Sequence, residues 1–303
     1  MKYFHPRKYW RLTKEWLHDF FWYYLLPDAW EIRYHFKEKV GYSPNLRDPK
    51  SFNEKIQWIK LNDRNNIYPD LIDKFKVKEI VKNILGEEYV IPTLFGPFFD
   101  ATDIPWDELP NQFVLKCNHD AASVIICKDK TKLNIKKTEE FLNLCLHKNY
   151  YHEVGKQWGY KTIKPCIFVE KYMRSVLKAD IDDYKFMVFN GQCKCILYCS
   201  DRYSKNGMKK TFFSPDWNVL PFKRPDASIS LNIEKPSRLD DMLNIVSKLY
   251  KYVSSDFVRI DLYDINGNIY FGEFTFYPSG GLESFEPEEW DFEMGKWLTL
   301  TNK

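Results

Sequence analysis

The chain has 303 residues with 45 Lys+Arg against 42 Asp+Glu, a formal net charge of +3, and is 44% hydrophobic and 29% charged. That balance excludes an intrinsically disordered chain, and roughly two domains' worth of residues bury enough apolar surface to fold without disulfides or a metal. Only 12 glycines exclude a collagen-like or linker-dominated chain, near-neutral charge with no basic stripe argues against a nucleic-acid partner, and the aromatic fraction is high at 17%.

Residues 1–36 hold 13 aromatics, and residues 1–60 hold 12 Lys/Arg to seven Asp/Glu. Trp10, Leu17, Phe20, Phe21, Tyr24 and Leu25 recur at helical spacing, and Pro27 closes that helix. Its aromatic face suits packing on the rest of the protein, and its basic, aromatic character also suits peripheral contact of residues 8–26 with a membrane surface. No signal-peptide pattern follows, and the longest apolar run, the seven residues Phe20–Leu26, is far short of the ~20 needed to span a bilayer. A cytoplasmic location is expected, with the inner face of the plasma membrane as its variant. The seven cysteines form no C-x-x-C pair and do not combine with the six histidines at zinc-ligand spacing, so they read as small buried hydrophobes in a reducing compartment.

Ser51-Phe-Asn-Glu54 is a capping box that opens a helix through about Leu61, and the spacing predicts a second helix from Asp70 to Leu85, stopped by Gly86. A strand is expected at Tyr89–Phe95, then a Pro/Asp-rich linker from Gly96 to Pro110. Strands follow at Phe113–Cys117, Val124–Cys127, Cys166–Glu170, Tyr184–Phe189, Cys193–Cys199, Phe257–Tyr263 and Ile269–Phe276. Helices are expected near 136–149 and 238–253, the latter with Ser237 as N-cap, and hairpin turns at Gly191 and Asn266-Gly267. Tight strand pairs with helices between them indicate an α+β chain with largely antiparallel sheets.

Three segments carry chemistry. In the run Arg259-Ile-Asp261, a period of two puts Arg259 and Asp261 on one face and Val258, Ile260 and Leu262 on the other. The hairpin at Asn266-Gly267 then sets Asp261, Glu273 and Thr275 side by side. Two carboxylates that close repel unless a cation lies between them, and oxygen ligands of this kind suit Mg²⁺ held together with nucleotide phosphates; an ordinary polar hairpin face is the alternative. Lys116, the lone charge of an apolar strand, precedes the polar turn Asn118-His119-Asp120-Ala-Ala-Ser123. Such a lysine contacts phosphate or merely snorkels from a sheet edge. Glu170 ends the apolar run Ile167-Phe-Val and offers an acceptor beside a flat apolar slot, suited to an adenine amino group.

Taken together these segments resemble an ATP-grasp enzyme, and within that group the TupA-like ATP-grasp family of bacterial surface-polysaccharide genes. The resemblance covers about residues 40–300 and rests on Pro49-Lys-Ser-Phe-Asn-Glu-Lys55 with Gln57-Trp58, Asp73-Lys74 with Lys78, and Phe113-Val-Leu-Lys-Cys-Asn-His119. It continues through Asp183-Tyr-Lys-Phe186, Arg259-Ile-Asp-Leu-Tyr263 and Gly272-Glu-Phe-Thr-Phe-Tyr-Pro278. It implies an ATP-grasp fold of two α+β lobes with nucleotide between them, preceded by an N-terminal helical region. Its parts are a helical region (1–65), a pre-ATP-grasp segment (66–110), a small lobe with phosphate loop and hinge (111–173) and a large lobe with the metal hairpin (174–303).

By the same resemblance, Lys74 and Lys116 neutralise phosphate charge, with His119 and Ser123 in the phosphate loop. Glu170, Lys171 and Met173 form the adenine hinge, and Asp183 is a ribose- or lysine-contacting carboxylate. Asp261, Glu273 and Thr275 hold Mg²⁺, and Arg259 stabilises the transferring phosphoryl group, with Lys116 assisting catalysis. Two departures stand out: the phosphate loop reads Asp120-Ala-Ala-Ser123 where glycines are usual, and Thr275 stands where most ATP-grasp enzymes have asparagine. The implied activity is an ATP- and Mg-dependent carboxylate–amine ligase that acts through an acyl phosphate. Its substrates would be a uronic acid or similar carboxylate of a capsule, O-antigen or teichuronic-type polysaccharide, and a small amine. The alternatives are a glycosyltransferase of polysaccharide biosynthesis, for which Asp180-Ile-Asp182 is the nearest metal motif, an ATP-grasp sugar kinase, and a non-catalytic nucleotide-binding scaffold.

Overall fold

A computed structural model describes residues 27–121, 123–153, 155–176, 181–201, 207–230 and 233–301. The aromatic helix expected before Pro27, and with it the membrane-contact segment 8–26, lies outside the described residues. No described helix is long and apolar enough to cross a membrane.

After Pro27 comes α1 (Asp28–Val40), then α2 (Phe52–Asn62), α3 (Tyr68–Ile72) and α4 (Val77–Leu85). The capping box at the start of α2 forms as the sequence dictates: Ser51 Oγ accepts from Glu54 N at 3.2 Å and Glu54 Oε2 accepts from Ser51 N at 3.2 Å. The single helix expected over 70–85 is two. Asp73 breaks it, because its Oδ1 accepts from the backbone N–H of Phe75 and Lys76, a local turn that competes with the helical ladder.

Two sheets follow. The smaller has the order β1-β4-β2-β3, from β1 (Thr93–Phe98), β2 (Phe113–Cys117), β3 (Val124–Cys127) and β4 (Ile167–Lys171). The larger has the order β7-β6-β5-β8-β9, from β5 (Asp182–Phe189), β6 (Gln192–Ser200), β7 (Lys209–Phe213), β8 (Phe257–Ile265) and β9 (Asn268–Thr275). Every pairing within the two sheets is antiparallel. Between strands lie α5 (Ile135–Leu146), α6 (Tyr150–Glu153) and α7 (Leu239–Val253), and α8 (Glu289–Trp297) follows the last strand.

The strand expected at 89–95 begins later, at Thr93, and runs to Phe98, where it pairs with β4. The stretch Gly96–Pro110 is therefore no linker: Ala101, Ile104 and Leu109 are buried in the small sheet's core with Phe113, Leu115, Ile167 and Val169. Helix α5 opens on Asn134, whose side chain accepts from Lys137 N at 3.0 Å. The residue before α7 is Arg238, without a side-chain cap, and not Ser237. Both hairpin turns are as expected, with left-handed φ at Asn190 (43°), Gly191 (88°), Asn266 (57°) and Gly267 (81°).

The large core packs the five-stranded sheet against α2, α4, α7 and α8 through Phe52, Ile56, Val81, Leu249 and Met294. The seven cysteines are free thiols, six of them buried, consistent with their reading as small core residues.

Candidate active site

The hairpin of β8 and β9 sets the centre of the site. Its register pairs Asp261 with Glu273 and Arg259 with Thr275, and on the other flank of β8 Lys185 of β5 lies opposite Asp261. Lys185, Asp261 and Glu273 thus form one row across three strands, while Val258, Ile260 and Leu262 are wholly buried on the opposite face. A bulge separates the Asp261–Glu273 pair from Leu262–Phe271 and leaves Gly272 unpaired. A Cβ on Gly272 would stand 3.0 Å from the Tyr263 ring and 3.1 Å from Asp261 O, so the close crossing needs glycine.

The carboxylates of this row are paired with cations from the protein itself. Arg259 donates from Nε to Asp261 Oδ1 at 2.7 Å, and from Nη2 to Asp261 Oδ2 at 2.8 Å and Glu273 Oε1 at 3.0 Å. Lys185 bridges Asp183, at 2.7 Å, and Asp261. Thr275 donates to Glu273 Oε1 at 3.1 Å, and Lys74 lies 3.8 Å from Glu273 Oε2. Burial pushes Asp261 above the usual carboxylate range against the pull of Arg259 and Lys185. Burial would also raise Glu273, but Lys74, Arg259 and Lys185 outweigh it and hold that carboxyl at about 2.

Lys74 reaches this row because the helix is broken before it. Its backbone N–H donates to Asn118 O at 3.0 Å and its Nζ to Asp120 O at 2.6 Å, which ties the turn after β2 to the large lobe's carboxylates. Asn118 cross-links the same corner: Nδ2 donates to Asp73 Oδ2 at 2.8 Å, and Oδ1 accepts from Cys166 N at 2.8 Å.

On the small sheet, Glu170 is buried between Lys116, at 2.6 Å from Oε2, and Lys78 on Oε1. Burial raises Glu170, yet the two lysines outweigh that and leave its pKa below the ordinary value. Burial also lowers Lys78, whose Nζ donates to Ile91 O and Thr93 Oγ1, both at 2.9 Å. Glu170 is thus the shared counter-ion of two lysines rather than an open acceptor. Lys171 commits its backbone N–H to Pro92 O at 3.0 Å, so the main-chain donors left to a hinge begin after it, in the Tyr172–Met173 stretch.

Between the two sheets lies a cleft of about 330 Å³ that gathers most of these groups: Lys74, Lys78, Lys116, Glu170, Lys171, Met173, Asp183, Lys185, Asp261 and Glu273. Its apolar walls are Val77, Val90, Ile91, Val114, Ile126 and Phe271. A second cavity of about 400 Å³ meets the first at Ala121 and Glu273, and Arg259 and Thr275 line it.

Two expected residues line neither cavity. His119 is buried against α5, its Nε2 3.2 Å from Cys145 O. Ser123 is buried, and both its N–H, at 3.1 Å, and its hydroxyl bond to Asp120. That contact also turns the Asp120 carboxylate back onto its own loop, so the acid that replaces a glycine closes the turn. Sequence reading missed Lys185 as a site residue, although the period-two spacing Asp183-x-Lys185 carries the signal. It gave no role to Lys78, and Lys60, which lines the second cavity, left no local trace in the sequence.

Two carboxylates on adjacent strands beside a hydroxyl fit Mg²⁺, which is held by one or two carboxylates with phosphate and water completing its shell. Among the described residues no group of three or more His, Cys, Asp and Glu is arranged to hold a metal ion alone.

Comparison with known proteins gives a family match: residues 54–299 fit the family described as TupA-like ATPgrasp. No curated protein matches. Among solved structures, a D-alanine–D-alanine ligase from Bacillus anthracis complexed with ATP superposes with a TM-score of 0.42 at 17% identity, over 68% of this chain and 55% of that one. A D-alanine–D-alanine ligase from Helicobacter pylori gives 0.40 at 13% identity, over 76% and 61%. The ATP-grasp ligase PsnB with minimal precursor, Mg and ADP gives 0.39 at 12%, over 74% and 57%. This chain spans just over half the length of the first of these.

Proposed function

Because the chain belongs to the TupA-like ATP-grasp family, we propose that it is an ATP-dependent carboxylate–amine ligase. The observation that carries the reading is the cleft between the sheets, where an apolar slot leads past Lys78 and Lys116 to the carboxylate row of Asp261 and Glu273. An adenine fits between Val114, Ile126 and Phe271, with the Tyr172–Met173 backbone at its edge, and the phosphates run toward Lys116 and Lys74.

Charge dictates what happens there. Asp183, Asp261 and Glu273 face Lys74, Lys185 and Arg259, a balance of three against three. Bound phosphates add negative charge, which draws Lys74, Lys185 and Arg259 off the acids and frees Asp261 and Glu273 for the divalent cation. That cation, when bound, screens the phosphates and polarises the phosphorus being attacked. Arg259, which lines the second cavity and is paired with Glu273 at the junction, then stabilises charge on the transferring phosphoryl group. A substrate carboxylate in that cavity attacks the γ-phosphorus and ADP leaves. An amine then attacks the acyl carbon, forming the C–N bond of an amide as the C–O bond to phosphate breaks and phosphate departs. The substrates we assign are a uronic acid or related carboxylate of a bacterial surface polysaccharide and a small amine, in keeping with the family.

The decisive measurement is ADP release. It should require Mg·ATP together with both a carboxylate and an amine, and Asp261→Asn should reduce it by at least about 100-fold, on the scale of a lost charge-stabilising group, while the fold stays intact. ADP release with a carbohydrate hydroxyl alone would make the protein a kinase. UDP release from a UDP-sugar would make it a glycosyltransferase, and unchanged turnover in Asp261→Asn would remove Asp261 from the site.

A further inference from the structure

The second cavity opens on the same face of the hairpin as the cleft, toward Arg259 and Thr275 and beyond Glu273, and its wall is short of acid. Lys60, Arg259, His35 and the rings of Tyr150 and Tyr160 line it with Gln57, Gln157 and Ser279, and Glu273 is the one carboxylate among them. Arg259 and Glu273 are already paired with each other and with Asp261. Burial, with the nearby positive charges of Lys60 and Lys39, lowers the His35 pKa. Lys60 is left as the cation whose charge the wall does not match.

Lys60 is 2% exposed and built into place. It stands one turn along α2 from Gln57, and its Nζ donates to Gln57 Oε1 at 2.8 Å. Gln57 is in turn pinned by Nε2 to Gly280 O at 2.9 Å and Gly281 O at 2.6 Å. An ammonium has three N–H donors, and among the described residues no second hydrogen bond and no ion pair engages Lys60 Nζ. The acid nearest in its field, Glu31 of α1, is held by Lys156 at 3.2 Å. The other charged or titratable groups around it are Asp28 beside Lys156, Tyr150, Tyr160 and Tyr277 of the cavity wall, and Arg64 just past the end of its helix.

We propose that Lys60 is the anchor for a carboxylate of the substrate, which enters the second cavity and takes the two donors that Gln57 leaves. The inference rests on the ligase reading only for the statement that one substrate is a carboxylic acid. Burial pushes the Lys60 ammonium down to about 7. A carboxylate beside it favours the charged form, so binding at pH 8 takes up a proton: the neutral amine, a proton and the carboxylate become an ammonium–carboxylate pair.

The test is an NMR pH titration of the Lys60 side-chain nitrogen in the full chain without nucleotide. The probes are acetate, propionate and glucuronate, set against acetamide and glucose as neutral counterparts. Lys60 should titrate near 7 alone, and at least one carboxylate should raise that midpoint by a unit or more while the neutral compounds leave it in place. Affinity for that carboxylate should fall at least tenfold in both Lys60→Met and Lys60→Gln. A midpoint that no carboxylate moves, or equal carboxylate affinity in either folded variant, overturns the assignment; the wild-type titration decides even if both variants fail to fold. Mg·ATP binding measured in parallel separates the two readings. Lost ATP binding with a responsive Lys60 rejects the ligase and keeps the anchor, and the reverse pattern rejects the anchor alone.

Discussion

At the residue scale the site is governed by burial set against neighbouring charge, and Glu170 is the clearest case. Its carboxylate is buried, and the two lysines that contact it, Lys116 and Lys78, outweigh burial and depress its pKa. The unfolded chain therefore binds more protons than the folded one just below the ordinary carboxylate value of 4.5. Glu170 contributes stability that is present above that value and lost as pH falls beneath it. Glu170→Gln should flatten this acid limb in urea unfolding measured from pH 6 to 3. It should also cost about 1–3 kcal/mol at pH 7, because two half-buried lysines lose their counter-ion; a variant with unchanged stability and an unchanged limb would show that the pairs contribute nothing. Glu170 was readable in the sequence as a carboxylate at a strand end, but not as the hub of two lysines. Lys78 lies on α4 and Lys116 on β2, and only packing brings them to one acid.

At the element scale, the run Phe52-Asn-Glu-Lys-Ile-Gln57 shows why a helix remote from the nucleotide cleft carries so many fixed polar residues. Asn53 exchanges two hydrogen bonds with the backbone of Glu283, at 2.7 and 3.0 Å, and Lys55 Nζ reaches Gly295 O and Leu298 O at 2.8 and 2.6 Å. Gln57 holds the Pro278–Gly281 turn, where Ser279, Gly280 and Gly281 all have left-handed φ of 46°, 66° and 68°. Gly281 has a second reason to be glycine: a Cβ there would lie 2.6 Å from Gln57 Nε2 and 2.7 Å from Ile56 Cγ2. Gly281→Ala should therefore lower stability by about 1–3 kcal/mol through strain and overpacking and loosen the floor of the second cavity. The check is a thermal melt together with the Lys60 titration midpoint, which should move as Gln57 shifts. A melt and a midpoint both equal to wild type would disprove the tight fit. The capping box and hairpin turns of such elements were legible because each is a local pattern of a few residues. The helix break at Asp73 was not, because the residues look helical and the competing turn is held in place by Asn118 from the other lobe.

At the scale of the whole molecule, the phosphate side of the cleft is closed by contacts that cross between lobes. Lys74, from the large lobe's helical flank, donates to Asp120 O in the small lobe's turn and sits 3.8 Å from Glu273. Mg·ATP bridging the same groups should stabilise the folded chain by about 2.7 kcal/mol at one hundred times its Kd, read as a shift in the urea midpoint. Lys116→Met should shrink that shift, whereas an equal shift with ATP and with a UDP-sugar would contradict a nucleotide-specific cleft. The sequence by itself determined the α+β class, nearly all the strands, the positions of both hairpin turns and the face-sharing of Arg259 with Asp261. These follow from side-chain period and turn chemistry, which act over a few residues. Tertiary structure alone decided that Gly96–Pro110 belongs to the small core, that His119 and Ser123 turn inward, and that Lys185, Lys78 and Lys60 join the two cavities. Those outcomes depend on which distant segments bury charge together, and the cost of an unpaired buried charge is set by neighbours that no local pattern names.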